Sequence, residues 1–269
     1  MLRLPDGTAT FTREWAPPDG VAPRGSVLLV HGLGEHSGRY DHVARRLAAI
    51  GLEVHGYDLR GHGRSEGPRG SIPADDALLD DLRLVFDRLE PAPIVLGHSL
   101  GGALAARATA GGWIAPRALI LSSPALALHV DPVRAAVLSL AQRLIPDRAL
   151  PNSLPADKLS HERAEVEAYR SDELVHDRIT PRMYGFLAGA GDAVRRDAAK
   201  LTVPTLLLVS GADGIVDARG ARELATALPA GATAHFYDDL YHEIFNEREP
   251  DRTRVLDDLV AWLEPRLGG

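Results

Sequence analysis

The 269-residue chain contains no cysteine, which excludes disulfides, thiolate metal ligands and a cysteine nucleophile. It also lacks long apolar runs. The opening Met1-Leu2-Arg3-Leu4-Pro5-Asp6-Gly7 has no apolar stretch of the secretory kind, and no run approaches the length of a membrane span. A soluble, cytoplasmic protein is the expectation. Lysine is nearly missing: Lys158 and Lys200 stand alone, and the remaining basic residues are arginines spread along the chain. With a formal net charge of −7, this dispersal argues against a nucleic-acid footprint.

Hydrophobic residues make up 45% of the chain, enough for one large α/β domain or a domain carrying an insertion. Short branched apolar runs bounded by turn signals predict buried strands at Ser26 to Val30, Leu52 to Tyr57, Pro93 to Leu96, Ala118 to Leu121, Thr205 to Val209 and Ala234 to Tyr237. Helical patterns alternate with them at Tyr40 to Ile50, Ala74 to Leu89, Leu100 to Ala110, Ala218 to Leu228 and Asp251 to Leu263. That alternation predicts an α/β fold with a mostly parallel sheet. Ala9 to Trp15 reads as an antiparallel edge strand.

Between Ser123 and about Lys200 the alternation fails, as an insertion would make it. Asp131-Pro132 opens a helix in which Val133, Ala136, Val137, Leu140, Ala141, Leu144 and Ile145 recur on one face. Packing on the main domain is one expectation for that face, and lining an apolar substrate channel is the other. Further helical segments follow near His161 to Tyr169 and Thr180 to Ala190. The expected division is a core of 1–124 and 200–269 with a helical cap over 125–199.

The chemistry is concentrated at Gly97-His98-Ser99-Leu100-Gly101. A strand that ends against a helix start at such a Gly-x-Ser-x-Gly turn holds its serine hydroxyl clear of the sheet. Ser99 is therefore the expected nucleophile. It needs a base and an acid presented from the same sheet edge. His242 follows the last strand, where the chain order serine, acid, histidine ends; His235, inside that strand, is its rival. Asp213 ends the run Leu206 to Val209 and its turn, with Asp217 as the competing carboxylate, suited to capping the next helix. The amides of Leu100 and Leu33 are the expected oxyanion donors. His31, His36, His62 and His98 suggest a metal, but neither His242-Glu243 nor His161-Glu162 completes a His-Glu-x-x-His pattern. No metal or cofactor is expected.

The blocks His31-Gly-Leu-Gly-Glu-His-Ser-Gly-Arg-Tyr40, Tyr57-Asp-Leu-Arg-Gly-His-Gly-Arg-Ser-Glu-Gly67, Gly97 to Gly101, Ser210 to Asp213 and Tyr241-His-Glu243 together resemble the monoacylglycerol lipase and lysophospholipase-like branch of the α/β-hydrolase superfamily. The resemblance implies an α/β-hydrolase fold, with about eight mostly parallel strands, helices on both faces and a helical cap. It implies a triad of Ser99, Asp213 and His242 acting on a small ester or lipid substrate, first of all monoacylglycerols. It also implies an apolar acyl tunnel, for which Ile179 and Ile215 are the expected lining, and a cap able to touch a membrane surface transiently. Animal members carry a second histidine three positions after the catalytic one. Here Phe245 occupies that substrate-binding position, which keeps a broader carboxylesterase, another acyl hydrolase or a non-catalytic binding protein as alternatives.

Overall fold

The branched run Val27-Leu28-Leu29-Val30, with every side chain fully buried, suits a strand covered on both faces. The computed structural model describes residues 1–267, with Pro132 and Arg134 described by backbone alone; the last two residues of the expected core segment lie outside it. Seven strands form the main sheet: β1 (Thr12–Trp15), β2 (Gly25–Val30), β3 (Leu52–Tyr57), β4 (Ile94–His98), β5 (Leu119–Ser122), β6 (Thr205–Ser210) and β7 (Thr233–Tyr237). Their order is β7-β6-β5-β4-β2-β3-β1. All neighbours are parallel except β1 with β3.

The period-2 alternation of side chains divides the interior into two cores. Leu28, Val30, Val95, Leu121 and Val209 face α2 (Ala77–Phe86), α3 (Leu100–Ala110) and α7 (Ala218–Ala227). Val27, Leu29, Leu96, Ile120 and Leu208 face α1 (Asp41–Ala48) and α8 (Asp251–Leu263). The α/β expectation holds, although the sheet has seven strands and not about eight. The N-terminal run breaks at Phe11, whose amide donates to Ser65 Oγ (2.8 Å) and so leaves the ladder. Ala9–Thr10 pairs instead with Leu2–Arg3 in a separate hairpin.

Between β5 and β6 lie α4 (Pro132–Leu144), α5 (Arg163–Ser171) and α6 (Pro181–Asp197), with a two-residue antiparallel ladder between Leu150–Pro151 and Arg178–Ile179. Thr180 caps α6 by accepting from the Met183 amide. Met183, Phe186, Leu187, Ala190 and Val194 then join the α3 side of the core. The apolar face of α4 behaves differently. Val133, Val137, Leu140, Leu144 and Ile145 are 41–74% exposed, so neither expectation for that face holds for them. The helix rests on α6 and turns Leu138 to the cavity described below, which leaves the rest of its apolar stripe on the outside.

Candidate active site

The end of β4 and the start of α3 are separated by Ser99 alone, which is held at φ 52°, ψ −115°. A non-glycine residue in that region is strained and persists only where its surroundings impose it. Two glycines permit the close approach. A methyl at Gly97 would overlap the Gly101 carbonyl, and one at Gly101 would overlap the Val30 carbonyl of β2. Replacing Gly101 by alanine is therefore expected to lower stability by ~1–3 kcal/mol, measured as a fall in the urea midpoint.

His242 stands in the loop after β7, and its Nδ1 lies 2.7 Å from Asp213 Oδ2. The other Asp213 oxygen accepts from the amides of Ile215 (2.8 Å) and Val216 (3.0 Å), which fixes the carboxylate plane. Burial alone would raise the Asp213 pKa, but the His242 charge and hydrogen bond and these amides lower it overall. Burial likewise pushes the His242 imidazole down, and Asp213 above all reverses this, raising it above its ordinary value. The rivals have other tasks. Asp217 caps α7 by accepting from the Arg219 amide, and His235 sits half-exposed on β7, 3.8 Å from Asp258.

Ser99 and His242 line one narrow cavity of about 20 Å³ together with Gly32, Leu33, Glu35, His98 and Ile215. No hydrogen bond joins the Ser99 hydroxyl to His242 among the described residues; in acyl-transfer sites this contact often tightens only with substrate bound. The Leu33 and Leu100 amides have no acceptor among the described residues, so both are available as donors. The Gly32 amide is not, since it donates to Glu35 Oε1 (2.6 Å). His98 packs its ring 4.8 Å from that of His242 and bonds Ser122 Oγ through Nδ1. Burial, followed by the His242 charge, pushes it down to about 4, which makes it a neutral neighbour for His242.

Several participants carried no expected role although they lie inside quoted blocks. Arg39 donates to Glu35 (2.8 Å) and, through both terminal nitrogens, to Glu243 (2.5 and 2.8 Å). The Tyr40 hydroxyl donates to Glu35 (2.6 Å). Density of charge in one block was the available signal. The loop carrying His242 is also braced by the segment before α5. The Leu159 carbonyl accepts from the Glu243 amide (2.8 Å), and Ser160 Oγ donates to the Asn246 carbonyl (2.7 Å). The fully buried Glu247 accepts from the amides of both Tyr241 and His161.

A second cavity, of about 290 Å³, shares Leu33, Leu154 and Ile215 with the first and extends past Leu128, Leu138 and Ile179. Ile179 and Ile215 both line this second cavity. Phe245 is a correction: it is buried in the core of α1 and α8 with Tyr40, Val43 and Val255 and lines neither cavity. The short 3₁₀ turn Ile244–Asn246 carries its ring into that core, away from both cavities.

A family model described as "Serine aminopeptidase, S33" matches residues 21–249. A monoacylglycerol lipase of Mycolicibacterium smegmatis is 37% identical over 94% of this chain and 92% of its own length. The human monoglyceride lipase is 32% identical over 97% of this chain and 88% of its own. The crystal structure of a Paleococcus ferrophilus monoacylglycerol lipase superposes with a TM-score of 0.87 at 30% identity, covering 96% of this chain and 99% of that one.

Proposed function

Because the chain belongs to the serine aminopeptidase S33 family, within the monoacylglycerol lipase-like branch of the α/β-hydrolases, we propose that it hydrolyses monoacylglycerols or similar lipid esters through an acyl-enzyme on Ser99. It is an ester hydrolase by descent and fold. The observation that carries the finer reading is Ser99, strained into a cavity wall shared with His242, whose Nδ1 is held by Asp213.

In this reading Ser99 Oγ attacks the ester carbonyl and His242 Nε2 takes its proton. Asp213 keeps the imidazole in the accepting tautomer and stabilises the imidazolium. The oxyanion receives the Leu33 and Leu100 amides, each donor of this kind being worth about 10²–10³ in rate. Collapse expels the alcohol with the proton from His242, and water repeats the sequence to free the acid. The larger cavity, with an apolar wall including Ile179 and Ile215, suits the acyl chain.

We assign residues 125–199 to a cap, with α4 as its contact with a lipid surface. Val137, Leu140 and Leu144 stand outward on α4, and each large apolar side chain gains about 1.5–3 kcal/mol when fully removed from water. Among the described residues no helix is long and apolar enough to cross a membrane. The variant Leu140→Ser/Leu144→Ser is expected to lose about tenfold or more in binding to phosphatidylcholine vesicles, measured by sedimentation, while hydrolysis of a short soluble ester stays within about twofold. Equal vesicle binding would remove α4 from this role.

The substrate reading is tested with p-nitrophenyl esters of increasing chain length beside monoacylglycerols, lysophospholipids and an aminoacyl p-nitroanilide. Monoacylglycerol turnover with preference for longer acyl chains supports it. Short-chain preference without glyceride turnover would make the protein a general carboxylesterase, and cleavage of the anilide alone would make it a peptidase.

A further inference from the structure

The geometry points to Arg39 and Glu243 as positioning residues that hold the base and the oxyanion loop in a fixed mutual relation, an inference that rests on the triad and donors proposed above. Glu243 is the immediate neighbour of His242, and Gly32 is the immediate neighbour of Leu33. Three side chains, those of Glu35, Arg39 and Glu243, join these two points. Glu35 Oε1 accepts from the Gly32 amide and from the Tyr40 hydroxyl, both at 2.6 Å. Glu35 Oε2 accepts from Arg39 Nη1, and Arg39 grips Glu243 with both terminal nitrogens. Asn246 Nδ2 donates to Glu243 Oε2 at 2.8 Å, which orients the far end.

All three charged groups are buried. For stability alone, apolar side chains of similar volume would serve as well or better, because burying ions costs desolvation that their attraction only partly returns. Apolar groups cannot fix direction. A guanidinium between two carboxylates can, because its planar fork dictates where both partners lie. Direction matters here, since a displacement of about 1 Å at a reacting group can cost on the order of 10² in rate.

The trio carries one net negative charge beside His242. The charged and titratable groups acting on that imidazole are Asp213, Glu243 and Glu35, with neutral His98 against its ring; Lys158 turns its amine over Tyr241 instead. Burial depresses the imidazole, Asp213 reverses that, and Glu243 and Glu35 add to the rise. Removing the Glu243 charge must therefore move the protonation of His242 to lower pH.

The test uses Arg39→Lys, Glu35→Gln, Glu243→Gln and the double glutamine variant, with steady-state kinetics on p-nitrophenyl butyrate, near-UV circular dichroism and a pH profile. Lysine keeps the charge but, as a point donor, cannot span both carboxylates; kcat is expected to fall about tenfold with KM within about threefold. Glu243→Gln should move the acidic limb of kcat/KM to lower pH. The losses of the two single glutamine variants should combine less than multiplicatively, as coupled sites do. Unchanged kcat in folded Arg39→Lys, an unmoved acidic limb in Glu243→Gln, or strictly multiplicative losses would overturn the inference. If Arg39→Lys does not fold, the glutamine variants decide. A Ser99→Ala protein that still turns over refutes the triad itself, whereas an inactive Ser99→Ala protein beside normal Arg39 and Glu243 variants refutes the positioning role alone.

Discussion

Replacing Ser99 by alanine is expected to reduce ester turnover by on the order of 10⁴–10⁶ while leaving the near-UV circular dichroism spectrum unchanged. In the proposed mechanism Ser99 Oγ forms the acyl bond, and neither the neighbouring His98 nor a water placed by His242 can substitute for it at comparable rate. The fold has no reason to respond. Ser99 contributes to structure through its backbone, which accepts from the Ala103 and Ala125 amides and donates to the Ser122 carbonyl; alanine keeps all three bonds. A fluorophosphonate probe should label the natural protein rapidly at Ser99 and leave the variant unmarked. Retention of most of the activity would move the nucleophile elsewhere.

Asp213→Asn should cost about 10⁴ in kcat with little change in fold. The amide oxygen can still accept from Ile215 and Val216. Its NH₂ then faces His242 Nδ1, which must turn acceptor, so the ring proton moves to Nε2, where Ser99 needs a free lone pair. The pH profile supplies an independent check. The base works only when neutral, so activity falls as pH drops through the His242 pKa. In the natural protein Asp213 is the main group raising that pKa against the effect of burial, and its loss should shift the acidic limb of kcat/KM downward. A limb that stays in place would mean that another carboxylate orients the histidine.

Local chemistry made the centre of the site legible in the sequence. The Ser99 turn and the carboxylate after β6 are announced by the ends of buried strands and the histidine by the end of the more exposed edge strand β7, and a parallel sheet brings such ends to one edge. The strands were legible because short branched runs such as Val27 to Val30, bounded by turn residues, favour a buried strand over a helix. The Glu35–Arg39–Glu243 connection was not: 204 residues separate Arg39 from Glu243, and no local pattern encodes that pairing. Periodicity also reports that a helix has an apolar face without saying what the face meets. In α6 the stripe of Met183, Phe186, Leu187 and Ala190 went to the core; in α4 an equally regular one went outward. Phe245 shows the same limit at shorter range, since three residues of 3₁₀ turn decide whether its ring meets substrate or core.

The hydrogen-bonded clasp between Leu159–Ser160 and the Glu243–Asn246 loop divides the insertion for anyone who would exchange parts of it. A graft of the whole region between β5 and β6 would carry off the strip of chain against which the His242 loop is seated, and in the proposed mechanism the rate with it. A graft limited to α4 would leave that seat in place. The outward face of α4 can be exchanged without touching that seat, while the stretch around Leu159 has to be inherited with the histidine it supports.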